Sequence, residues 1–172
     1  MNMYRNGQHS GFAEILRSRP SALVEIRGGR DYPDIRGIVR FYQRKYSVLV
    51  VAEIKGLPVP IGRCEKAIFG FHLHEGIACT GEKFADTKGH YNPDSCPHPY
   101  HAGDMPPLFG VNGFAFSAFM TDRFRVSDII GKTVVIHAKA DDFTSQPAGN
   151  AGEKIACGTV RRVLNNRTND YR

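Results

Sequence analysis

Gly70-Phe71-His72-Leu73-His74-Glu75 is the stretch from which the rest of the chain can be read. On an extended strand, side chains two apart point to the same face, so the imidazoles of His72 and His74 can reach one metal ion. A His-x-His pair on its own is weak evidence, because a single histidine on a strand is more often a hydrogen-bonded surface or core residue. The case therefore depends on what lies on either side.

Outward from this stretch the chain reads as short strands. Residues 67–74 form one, and 22–26, 35–42, 47–55, 113–120, 133–138 and 155–163 form the others, rich in β-branched and aromatic residues with Gly and Pro punctuation. Gln43-Arg44-Lys45 reads as a hairpin turn. In the strand after it Val48, Val50, Ala52 and Ile54 share one face, expected to meet the core. Helical periodicity is absent except for a short stretch at 12–17, stopped by Pro20. The fold class is all-β, a sandwich or barrel. Residues 75–112 and 139–154 do not fit as strands, and loops of that length in a compact domain usually carry function.

The first loop carries most of the remaining imidazoles. His90, His98, His101 and Asp104 follow one another at spacings of eight, three and three, and His137 ends a Val-Val-Ile-His strand far downstream. Only His9 stands apart. Imidazole suits copper and zinc, whereas calcium and magnesium want oxygen donors. One carboxylate with several histidines is an ordinary zinc set.

Length and composition agree with a single soluble domain. The 172 residues suffice for a core, and 41% hydrophobic and 23% charged residues are ordinary globular values. No apolar run reaches the roughly 18–20 residues that span a bilayer, and the first twenty residues lack an apolar signal core, so a cytoplasmic location is expected. The net charge is +6, but Lys and Arg are scattered rather than striped, which argues against nucleic acid as a partner. Three parts are expected: an arm over 1–20, a barrel over 21–163 and a polar tail over 164–172.

Five segments in order make a resemblance specific: Gly-Phe-His-Leu-His-Glu at 70–75, Gly-His-Tyr-Asn-Pro at 89–93, His-Ala-Gly-Asp at 101–104, Val-Val-Ile-His-Ala-Lys-Ala-Asp-Asp at 134–142 and Gly-Asn-Ala-Gly-Glu-Lys-Ile-Ala-Cys-Gly at 149–158. Together they resemble the copper/zinc superoxide dismutase family over about residues 22 to 163. The resemblance implies an eight-stranded Greek-key β-barrel, with copper and zinc as cofactors and superoxide disproportionated to dioxygen and hydrogen peroxide. It makes His72, His74, His90 and His137 the copper ligands, and His90, His98, His101 and Asp104 the zinc ligands, with His90 as the bridge and proton carrier. Asp141 matches the carboxylate that ties a copper histidine to a zinc histidine; Asp142 beside it reads as a solvated loop residue. Relatives are often homodimers, which makes a dimer possible here.

Several positions depart from the family pattern. Lys154 stands where an anion-guiding arginine is usual, so it is the candidate catalytic cation, with less capacity to position an anion. Glu153 is expected to pair with it and blunt its field. Ala148 replaces a threonine, and both long loops are shorter than in the animal enzymes. A slower, less steered enzyme is expected, and the alternative is a non-catalytic copper/zinc carrier or structural protein of the same fold. By the same resemblance Cys79 and Cys157 form a disulfide, against the alternative of two reduced thiols. Cys96 is either a stray metal ligand or the partner of Cys64 in a second bridge.

Overall fold

The ten strands of the computed structural model form one antiparallel sheet that curls on itself, and residue 70 is where it closes. The structure describes residues 11–62, 65 and 67–164. Its strands are β1 (Ala22–Gly28), β2 (Arg36–Gln43), β3 (Val48–Lys55), β4 (Ile68–Phe69), β5 (Phe71–His74), β6 (Leu108–Val111), β7 (Phe114–Thr121), β8 (Thr133–His137), β9 (Lys154–Thr159) and β10 (Arg161–Arg162). Along the sheet they run β4-β6-β7-β3-β2-β1-β9-β8-β5, with β10 beside β1.

The two ends of that path, β4 and β5, are neighbours in sequence. The expected strand over 67–74 is thus split: its first half pairs with β6, its second with β8. One segment straddles the seam and closes the barrel, leaving no long free edge among the described residues. Counted as one strand, with the two-residue β10 set aside, these elements are the eight expected. Gly70 makes the crossing possible, because a Cβ there would lie 2.8 Å from Ala151 Cβ and 3.3 Å from His137 Cβ. Two elements depart from the sequence expectation: β6 lies inside the long stretch 75–112 expected to be loop, and a short helix α2 (Val126–Ile129) precedes β8.

The interior is filled as the alternation predicts. Val48, Val50, Ala52 and Ile54 point inward with Val24, Ile26, Val39, Phe41, Phe71, Leu73, Val134 and Ile136. The opposite face of β3 is covered too: Leu49 and Val51 pack under Ile15 of the N-terminal helix α1 (Phe12–Arg17), with Tyr42. The stretch 12–17 is therefore a short helix laid on the barrel. Residues 1–10, 63, 64, 66 and 165–172, and with them half of the expected arm and most of the expected tail, lie outside the described residues.

Candidate metal centre

On β5, Phe71 and Leu73 enter the core, which turns His72 and His74 to the outer face. Val135, opposite His72, shares that face, and so does His137 two residues further on. A bulge between Ile136 and His137 sets His137 opposite Lys154. The long loop then covers this face by running back along β5, with bridges pairing His74 with His90 and His72 with Asp104. Tyr91 N–H donates to Leu73 O at 2.8 Å, and Leu73 N–H donates to Gly103 O at 2.9 Å. The barrel thus holds three imidazoles rigidly, and the loop brings His90, His98, His101 and Asp104 to them.

Two groups of donors result. Ligand atoms of His72, His74, His90 and His137 lie within 4.8 Å of one another, as do those of His90, His98, His101 and Asp104, and every member is buried. His90 belongs to both.

Hydrogen bonds fix which ring nitrogen each histidine turns inward. His74 Nδ1–H donates to Lys88 O at 3.0 Å and His137 Nδ1–H to Gly152 O at 3.1 Å, and their Nε2 atoms face each other at 3.2 Å. Two lone pairs that close repel unless a cation lies against both. His72 Nε2–H donates to Asp141 Oδ2 at 2.6 Å and His98 Nε2–H to Asp141 Oδ1 at 2.9 Å, leaving their Nδ1 atoms buried without a hydrogen-bond partner. His90 Nε2 and His101 Nδ1 are orphaned in the same way. Buried polar atoms are ordinarily satisfied, so four orphans converging on two points are the mark of metal sites. His98 Nδ1 and His101 Nδ1 come within 3.1 and 3.3 Å of Asp104 Oδ2, close but misaligned for a hydrogen bond, as donors aimed at a common ion would be. Four imidazoles suit copper, and three imidazoles with a carboxylate suit zinc.

Burial sets the protonation states. It is the largest influence on His74 and holds it well below its ordinary value, with help from His137 and His90. Burial likewise takes His137 down to about 3. Burial opposes the ionised forms of Asp104 and Asp141, but hydrogen bonds and neighbouring imidazoles outweigh it and keep both carboxyls below the usual range. Neutral His74 and His137 and ionised Asp104 and Asp141 are in the states that bind metal.

A comparison of sequences places the chain. The copper/zinc superoxide dismutase (SODC) family profile matches residues 35–160. The chain belongs to that family. It is 33% identical to Cu-Zn superoxide dismutase 2 of Aquifex aeolicus over 167 residues, 88% of this chain and 91% of that one. It is 35% identical to the Cu-Zn superoxide dismutase of Legionella pneumophila over 133 residues, 73% of this chain and 77% of the other. An extracellular Cu-Zn superoxide dismutase of Caenorhabditis elegans is 29% identical over 167 residues, covering 88% and 72%.

Around the two donor groups, some side chains differ from expectation. Lys154 Nζ is committed to the loop: it donates to Thr87 Oγ1 at 2.7 Å, Lys88 O at 2.8 Å and Phe84 O at 3.5 Å. Glu153 does not pair with Lys154. It accepts from Lys83 Nζ at 3.1 Å and from the Tyr32 hydroxyl at 2.9 Å, because the short turn at 82–87 brings Lys83 over it. The Lys154 charge is therefore not cancelled by its neighbour. A hollow of about 460 Å³ opens beside His137, lined by Ser145, Gln146, Pro147, Ala148 and Asn150. Lys154 lines a different hollow, of about 510 Å³, with Lys83 and Phe84.

Asp142 is exposed but not idle. Its carboxylate accepts from Thr144 N–H, Ser145 N–H and the Ser145 hydroxyl, which hold its pKa at about 2 and shape the loop. Gln146 grips His98 in both directions, accepting from its N–H at 3.0 Å and donating to its carbonyl at 2.7 Å. Nothing in the sequence pattern singled Gln146 out. Cys79 and Cys157 form a disulfide. Among the described residues Cys96 has no disulfide partner, and it is not part of either donor group; Cys64 lies outside them.

Proposed function

We propose that this protein is a copper/zinc superoxide dismutase, turning two superoxide ions and two protons into dioxygen and hydrogen peroxide. The observation that carries the reading is His90, shared by two buried four-donor groups whose free nitrogens converge. In this reading His72, His74, His90 and His137 hold copper, and His90, His98, His101 and Asp104 hold zinc. When bound, copper supplies the one-electron redox chemistry and zinc a fixed positive charge that involves no redox change.

The chain supplies the rest. Asp141 orients His72 and His98 together, so the two halves keep one geometry. His90 Nε2, whenever it is not held by metal, would take up a proton and pass it to the peroxide product. Superoxide enters through the hollow beside His137, and Lys154 adds a positive field from behind the loop rather than a contact. That indirect placement supports a slower enzyme than relatives with arginine. With the shortened loops it is what the alternative, a non-catalytic copper/zinc carrier or structural protein, would rest on, and the complete ligand set argues against that alternative. The test is pulse radiolysis of protein loaded with zinc and copper, against the zinc-only form. Copper-dependent superoxide decay is expected. Decay no faster than the zinc-only control, with one copper per chain, would leave the carrier reading.

A homodimer belongs to the same proposal. Phe114, Phe116 and Met120 of β7, with Val111 and Phe109 of β6 beside them, form an exposed apolar stripe on one sheet face. Such a stripe is the usual mark of an interface, and a second copy with the same stripe would cover it. Light scattering of the parent and of Phe116→Glu tests this: a dimer that becomes a monomer is expected, and a monomeric parent would overturn it. Neither nucleic acid nor a membrane is a partner in this reading. Among the described residues no helix is long and apolar enough to cross a membrane. Cytoplasmic residence is the remaining part, tested by cell fractionation.

A further inference from the structure

Zinc-side ligands His98, His101 and Asp104 lie outside the named strands and helices, and Arg123 grips that stretch from outside. Arg123 follows the end of β7, where its own N–H donates to Thr121 Oγ1 at 3.2 Å. Phe124, the next residue, is buried in the core and meets Phe41 edge-on, with ring centroids 6.2 Å apart. The Arg123 side chain is therefore carried on an anchored stretch of backbone. Its Nη1 donates to Pro99 O at 3.2 Å, His101 O at 3.3 Å and Asp104 O at 3.1 Å. Two of these carbonyls belong to residues whose side chains are donors in the zinc-side group. The third lies next to His98.

We propose that Arg123 is a positioning residue for the zinc half of the site, gathering the carbonyls of residues 99, 101 and 104 onto one cationic nitrogen. The loop bears three ligands within seven residues; its backbone bonds engage Tyr100 N–H, Gly103 and Asp104 N–H, and carbonyls pointing the same way repel. A cation drawn among them removes that repulsion and fixes the direction from which His101 and Asp104 project. The inner side of the same loop is fixed by Asp104 accepting from His101 N–H at 2.9 Å and by Gln146 gripping His98. Arg123 thus supplies the outer fixing point, so that both sides of the loop are held. Arg123 touches neither metal donor atoms nor the substrate hollow beside His137, so its effect would run through ligand placement alone.

The inference rests on the zinc reading but not on dismutase activity, and its test uses zinc itself. Full-length parent, Arg123→Ala and Arg123→Lys are loaded with zinc, and zinc release to a chelator is followed with an indicator dye. Thermal midpoints are taken with and without zinc, and cobalt(II) absorption reports ligand geometry. Removing a residue that orients metal ligands typically costs about 10- to 100-fold in metal affinity. Arg123→Ala should therefore release zinc faster by about that factor, gain less thermal stability from zinc than the parent, and shift the cobalt bands. Arg123→Lys, with three donors on one cationic nitrogen, should recover part of each effect. Release from Arg123→Ala within twofold of the parent, or equal thermal losses with and without zinc, would overturn the proposal. If the alanine variant does not fold, the same readings on Arg123→Gln, which keeps a neutral donor, decide it. A parent that binds no zinc would instead sink the zinc reading beneath it.

Discussion

The two halves of the metal centre are built in opposite ways. On the copper side, His72, His74 and His137 stand on adjacent strands at the barrel's closing seam, and the sheet's own hydrogen bonds fix them. On the zinc side, His98, His101 and Asp104 hang on a loop whose shape depends on side chains from elsewhere: Asp141, Gln146 and Arg123. A strand-borne site is held by the fold, whereas a loop-borne site is held by ties. Removing a tie should therefore disturb the zinc half more than the copper half. His90 joins the two, so its loss should show what each does alone.

The largest effect is expected from His90→Ala. The variant keeps three copper-side imidazoles but loses the shared ring and the proton held there, and positioned proton transfer is worth about 10²- to 10⁴-fold. Pulse radiolysis should find dismutation reduced by that order while copper still binds, as seen by its electron paramagnetic resonance. Near-parent activity would mean that the halves do not need their bridge.

Next in size is the disulfide. Cys79 lies in the loop and Cys157 in β9, so the bond ties the loop half to the barrel across a sequence separation of 78. Closing a loop of that length contributes about 4 kcal/mol in the chain-entropy model. Cys79→Ser should lower the denaturant midpoint of the metal-free protein accordingly, and it should loosen zinc more than copper. Equal loss of both metals would show that the tie serves the whole fold rather than the loop.

Asp141→Asn tests the link between the halves directly. Asn can donate from only one position and accept at the other, so it cannot accept from both His72 and His98. Zinc affinity should fall by about 10- to 100-fold, and copper affinity by less, because the strand still holds His72. Competition titration with a chelator checks both values.

The same division explains what could be read from the sequence. His72 and His74 were legible because strand geometry has a period of two and the spacing alone puts both on one face. The core residues of β3 were legible for the same reason. The loop ligands were visible as residue types at particular spacings, but their meaning came from the resemblance, since no period governs a loop. The split at Gly70 was hidden because an uninterrupted strand pattern says nothing about which edges its two halves join. β6, at Leu108–Val111, was hidden by its four-residue length and by the prolines before it. Arg123 and Gln146 carried no signal, because a side chain that grips carbonyls across the molecule leaves no mark in its local sequence. Adjacency suggests a Glu153–Lys154 pair, but Glu153 sits in the bend before β9 and is taken by Tyr32 and by Lys83, from a turn 70 residues earlier, while Lys154 turns to the loop.

Acid should destabilise both halves of the metal-free protein, because burial lowers the zinc-side His101 as well as the copper-side His72, His74 and His137. His137 and His74 have folded-state values below the ordinary 6.5, that of His137 at about 3, and burial is the main cause for both. Between about 3 and 6.5 the unfolded chain binds protons that the folded chain does not. Stability is therefore full above about 6.5 and declines as pH falls toward 3. Thermal midpoints of metal-free protein should drop over that window, and His137→Gln should flatten the slope. An unchanged midpoint between pH 7 and pH 4 would contradict neutral, buried His74 and His137 rings.

The smallest effect is expected at Lys154, and it bears on whether the barrel or the loop controls substrate. The ammonium spends its donors on Thr87, Lys88 and Phe84, so it acts on superoxide only through its field. Lys88 O accepts from both Lys154 and His74, which makes the lysine a strut for the copper side as well. Removing a steering charge should slow dismutation by about tenfold or less and weaken its dependence on ionic strength. Lys154→Ala should show both changes. Lys154→Arg should keep the salt dependence, since the charge is preserved, and raise the rate only if the longer fork reaches past the loop carbonyls toward the His137 hollow. A rate in Lys154→Ala equal to the parent at low salt would leave Lys154 a strut alone, and the steering would then have to come from charges elsewhere on this cationic chain.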